Sequence, residues 1–144
     1  MEVSFTDWGS KDRFSIDLLG DECSKSVRVL TVRASNGYVL YTNSVRLQQL
    51  AVQPLEYEDV LERTLESIRK SVSGNRTNEI PTFDSIPLDD ENFYTGGEDN
   101  RENYEKAREA DKPVMCVRMG YEHWDCFWYD ASKGYVKYLY GFGA

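Results

Sequence analysis

The sequence predicts an α+β domain: a mostly antiparallel sheet of about five to six strands, packed by one long amphipathic helix and accompanied by a short surface helix. Three observations carry this reading. Strand-like runs rich in β-branched and aromatic residues cluster at both ends of the chain, two helical periods lie between them, and Asn36-Gly37 splits the N-terminal run. The resulting order is β-β-β-α-loop-α-β-β-β.

The first strand is expected in "RFSIDLLG", where Phe14, Ile16 and Leu18 alternate with Ser15 and Asp17, the period of a half-buried strand. Strands at about 26 to 34 and 38 to 43 follow, joined at Asn36-Gly37, the pair that best tolerates the two positive φ angles of a type I′ turn. From Leu55 to Val72 the pattern changes. Tyr57, Val60, Leu61, Leu65, Ile68 and Val72 recur at three- and four-residue steps and form one apolar helical stripe, which should lie across the sheet. Pro54 suits the first turn, and Gly74 is placed to end the helix in a left-handed conformation.

Residues 74 to 98 hold Pro81, Pro87 and Gly96-Gly97 without a sustained period, and read as a long acidic loop. Asp99 and Glu102 form a capping pair for a surface helix at about 100 to 110, with only Tyr104 and Ala107 as apolar contacts. Three further strands are expected in "PVMCVRMG", "HWDCFWYD" and "GYVKYLYG". Residues 1–144 are read as one domain, and a chain of this length buries about two thirds of its unfolded surface, enough for one core.

Composition bounds the function. Hydrophobic residues make up 40%, too many for a disordered chain, and the net charge is -8. That charge opposes binding to phosphate backbones and anionic lipid, and steers basic proteins toward the surface. "MEVSFTDWGSKD" has no positively charged start followed by an apolar run, and no window has the length of a membrane span, so a cytoplasmic location is expected. The cysteines Cys23, Cys116 and Cys126 are accordingly expected as buried free thiols. Cys116 and Cys126 face each other across the proposed hairpin and would bridge only under oxidation.

Catalytic and metal motifs are weak. His123 lies near Cys126, but in a strand the two point to opposite faces, which prevents their direct pairing and leaves only Cys116 to approach from the adjacent strand. Zinc-type spacings, phosphate-binding glycine loops and the dinucleotide fingerprint are missing from the sequence, and "DDENFYTGGEDN" departs from the spacing of an EF-hand. No cofactor or metal is expected, and the protein is read as non-enzymatic.

Two features rise above this background. The first is "DSIPLDDENFYTGGED", which carries Asp84, Asp89, Asp90, Glu91, Glu98 and Asp99 without one Lys or Arg, interleaved with Ile86, Leu88, Phe93 and Tyr94. A solvated linker has no need of four large apolar or aromatic side chains, so the segment is read as a docked loop with its carboxylates outward. The second is a run of nine aromatics between Tyr121 and Phe142. Alternation sets Phe127, Tyr129 and Tyr135 on the face away from the core, where they would pair across strands or form an interface.

In charge and size the chain resembles bacterial toxin-immunity proteins and phage-encoded inhibitors of host nucleases, an analogy that assigns no residue. The leading expectation is an inhibitor that engages a basic protein, a nuclease or a nucleic-acid-binding factor, by charge mimicry. The acidic loop would occupy a groove built for phosphate, with Phe93 or Tyr94 as anchor. The alternative is a small-molecule or peptide-binding domain using Phe127, Tyr129 and Tyr135, in which two such faces would make a homodimer.

Overall fold

Phe14, Leu30 and Val32 share the inward phase of neighbouring strands and are almost fully excluded from solvent, so the N-terminal alternation does build a half-buried sheet. A computed structural model describes residues 1–22, 25–50, 56–87 and 89–143. Expectations for Cys23, Pro54, Leu55 and Leu88 lie outside the described residues.

Strands β1 (Glu2–Val3), β2 (Asp12–Leu19), β3 (Val27–Arg33) and β4 (Val39–Arg46) form one antiparallel sheet in the order β1-β2-β3-β4. Helix α1 (Tyr57–Gly74) follows. Strands β5 (Phe93–Tyr94), β6 (Met115–Gly120), β7 (His123–Asp130) and β8 (Tyr135–Gly143) form a second antiparallel sheet, ordered β5-β8-β7-β6, and helix α2 (Arg101–Ala110) precedes β6. The class is α+β as expected, but the one sheet is two sheets of four strands each. The extra members are β1 and β5, two residues each, too short to show a period in sequence.

The second sheet is covered on both faces. Met115, Val117 and Phe127 pack with Phe14, Leu30 and Val32 of the first sheet and with Ile68 and Val72 of α1. Cys126, Trp128, Leu139 and Tyr140 pack with Ile80, Phe83, Tyr104 and Ala107. Each such large apolar side chain contributes roughly 1.5–3 kcal/mol on burial. A polar tie fixes α1 on this frame: the Ser71 hydroxyl, at a position on the apolar stripe, accepts the Cys116 N–H at 3.0 Å.

Several local expectations are corrected. The β3–β4 connection is not a type I′ turn. Gly37 has φ 89°, Asn36 has no positive φ, and Ala34 exchanges hydrogen bonds with Gly37 and Tyr38, the form of a turn followed by a bulge. Gly74 closes α1 without positive φ, since the chain leaves in extended conformation at Asn75. Asp99 does not cap α2; Asn100 precedes the helix, after a 3-10 turn at Glu98–Asn100. That helix is more than a surface ornament, because Tyr104 and Ala107 are fully buried and close the second core.

Residues 74 to 98 are also more regular than expected. They contain 3-10 turns at Thr77–Glu79 and Phe83–Ser85, a bridge from Arg76 to Pro113, and β5. Finally, Cys116 and Cys126 are not free thiols but a disulfide, formed between directly paired positions of β6 and β7.

Candidate functional site

The acidic segment is held by a few contacts, each traceable to a residue type. Asp90 accepts the N–H groups of Asn92 at 2.8 Å and Phe93 at 3.1 Å, a local carboxylate turn that launches β5. Phe93 then pairs with Phe142 and stacks on Tyr140 at 4.7 Å, while Tyr94, one residue on, points away and is 57% exposed. Strand alternation therefore settles which ring is buried and which is presented.

After β5 the chain turns through Gly96 and Gly97 at φ 84° and 81°. A Cβ on Gly96 would stand 3.2 Å from Asn100 and 3.3 Å from Tyr138, so glycine is needed for both conformation and space. Asn100 secures the turn by donating to the carbonyls of Thr95 and Leu139.

The carboxylates divide into two groups. Asp84 and Glu98 both bind Arg101, each at 2.6 Å, and Arg101 lies 4.4 Å over the Phe83 ring. Hydrogen bonding to Arg101 holds the Glu98 carboxyl below its ordinary range, and Glu98 and Asp84 in turn raise the Arg101 pKa. Asp89, Glu91 and Asp99 are exposed and have no ion-pair partner among the described residues. Of the segment's interleaved residues, Ile86 and Phe93 pack against the second core and Tyr94 does not.

The aromatic face has a different fate. Phe127 is 9% exposed, at 4.7 Å from Tyr41 of the first sheet, and Tyr129 is half-buried; only Tyr135, 53% exposed, stands in solvent. The first sheet packs over the face expected to be open. A bulge at Cys126/Phe127, where Leu139 is the extra residue on β8, brings Val136 and Tyr138 to that side and sets Tyr135, paired with Asp130, on the opposite face from Phe127 and Tyr129. His123 meets Asp125 at 2.8 Å, and both cysteines near it are bonded to each other.

Searches against family models, characterised proteins and solved structures returned no match.

Two charged positions escaped the sequence reading. Asp130, 2% exposed, accepts from Lys106 at 2.8 Å and Lys137 at 2.9 Å; as a strand-end Asp it looks like an ordinary turn residue. Arg28 is 1% exposed. Its signal was present, because Arg28 alternates in phase with the core residues Leu30 and Val32.

Proposed function

We propose that the protein is a non-enzymatic binding module that engages, and inhibits, a basic protein such as a nuclease or another nucleic-acid-binding factor. The contact is made by the acidic edge, with Asp89, Glu91 and Asp99 offering charge to a groove meant for phosphate and Tyr94 as the anchoring ring. One observation carries this reading: Tyr94 is exposed on an anchored edge strand, in a segment where Asp89, Glu91 and Asp99 lack cationic partners among the described residues. An amphipathic ring held on fixed backbone anchors a contact at low entropic cost, and unpaired carboxylates steer association.

Asp84, Glu98 and Asp90 support the edge rather than touch the partner, since Arg101 and the β5 turn occupy them. The test is capture of the partner from the native host at two salt concentrations, followed by measured association of wild type, Asp89→Asn/Glu91→Gln and Tyr94→Ala. Loss of binding in both variants with folding intact supports the reading; unaltered binding in both overturns it.

A second reading, a small-molecule-binding domain, is favoured by a place other than the Phe127, Tyr129 and Tyr135 surface. A cavity of about 230 Å³ opens beside α1, lined by arginines and by Trp124.

A further inference from the structure

Helix α1 lies beside a cavity of about 230 Å³ whose apolar wall is Leu50, Val60 and Ile68. Its charged wall is Arg28 of β3, Arg63 of α1 and Arg118 of β6, with Trp124 of β7 alongside. Two elements of the first sheet and helix region and two strands of the second thus converge on one space. Asp59, a turn before Arg63, is the one carboxylate among the described residues that line it.

Arg28 is the decisive member. It is 1% exposed, and its only side-chain hydrogen bond among the described residues runs from Nη2 to the Arg118 carbonyl at 2.8 Å. Its Nε is buried without a partner among the described residues. A guanidinium carries five N–H donors, and burying such a group unpaired is unfavourable unless something completes it. Burial lowers the Arg28 pKa to about 10, and the other groups acting on it are the Tyr41 hydroxyl and a second cation, Arg118. Among the described residues it forms no ion pair with a carboxylate.

Arg118 cannot neutralise this charge and adds to it. Its own guanidinium donates to the carbonyls of Gly120 and Tyr121, and its Cζ lies 5.9 Å from the Trp124 ring centre. Arg63 is exposed at the mouth and forms no ion pair among the described residues. Thr64 and Ser67 add hydroxyls from the same helix face. Positive charge concentrated in a partly enclosed, largely apolar space is the arrangement that selects an oxyanion bearing an apolar body.

We propose that this cavity binds a small organic anion, its carboxylate or phosphate held by Arg28, Arg118 and Arg63 and its apolar, planar part beside Trp124. The size of the space limits the ligand to something smaller than a typical drug-sized molecule. The inference is independent of the acidic edge and stands or falls without it.

The test is titration of the full chain with benzoate, phenyl phosphate and the neutral benzyl alcohol at low salt, followed by calorimetry and tryptophan fluorescence. Benzoate or phenyl phosphate is expected to saturate at or below about 5 mM, and the two arms distinguish a carboxylate from a phosphate ligand. Arg28→Met should abolish that binding, and Arg63→Gln, an exposed change that leaves the core intact, should weaken it about tenfold. The proposal is overturned if neither anion saturates by about 5 mM, if benzyl alcohol binds as well as benzoate, or if Arg63→Gln and folded Arg28→Met both bind like wild type.

Discussion

Arg28 of β3 donates from Nη2 to the backbone carbonyl of Arg118 in β6 at 2.8 Å, so a buried cation of the first sheet holds an edge strand of the second. The bond requires burying a charge that has no ion-pair partner among the described residues. Replacing a buried ion by an apolar chain of similar length is often neutral or stabilising. Arg28→Met should therefore unfold within about 1 kcal/mol of wild type, or above it, whereas Arg28→Ala leaves a void and should cost about 2–4 kcal/mol. Denaturant unfolding of the two variants checks this; equal large losses would mean that the hydrogen bond itself holds the sheets together.

Asp130 gives the fold a pH dependence with a definite sign. Burial alone would raise its pKa, but hydrogen bonds from Lys106, Ser132 and Lys137 outweigh burial and hold it below the ordinary carboxylate range. A carboxyl depressed in the folded state contributes stability above its unfolded pKa and loses it as pH falls through the folded value. Stability should thus drop on acidification below about pH 4, the unfolded value for Asp. Asp130→Asn should lose about 2–4 kcal/mol at neutral pH and show a shallower acid limb; an unchanged limb would refute the assignment.

The Cys116–Cys126 bond closes a short span, with a sequence separation of 10. Restricting the unfolded chain over so short a loop is worth roughly 2–3 kcal/mol. Reduction, or the Cys116→Ala/Cys126→Ala pair, should lower unfolding stability by about that amount and leave the β-sheet circular dichroism signal in place. Equal stability of the oxidised and reduced protein would contradict this.

Phe93 and Tyr94 are neighbours with opposite exposure. Phe93 stacks on Tyr140 at 4.7 Å, so Phe93→Ala should destabilise by about 2–4 kcal/mol. Tyr94 is exposed, and Tyr94→Ala should change stability by less than about 0.5 kcal/mol while weakening the proposed partner contact. Thermal melts of both variants separate support from recognition.

Sequence periodicity revealed most of the elements but not their partners. The stripe Val60–Ile68–Val72 and the Phe14–Ile16 alternation are local signals, and both predicted real elements. Whether six strand-like runs make one sheet or two depends on long-range pairing and on β1 and β5, which are too short for a period. Phe127 was expected to be open because a strand has two faces and only one helix was in view; the first sheet covers the other face. Within the acidic segment, charge and the buried apolar residues were legible. What was not legible was that Arg101 also claims Asp84, since that ion pair depends on the fold, whereas Glu98 and Arg101 are local neighbours three residues apart. Arg28 is legible in the same way: a lone arginine in phase with Leu30 and Val32 is a cation destined for the interior.

The most direct measurement is the association rate with the captured basic partner, by surface plasmon resonance at about 50 and about 500 mM NaCl. If the acidic edge makes the contact, the rate constant falls about tenfold or more with salt, and Asp89→Asn/Glu91→Gln/Asp99→Asn loses most of that dependence. A rate unchanged by salt, or a variant as salt-sensitive as wild type, would contradict it.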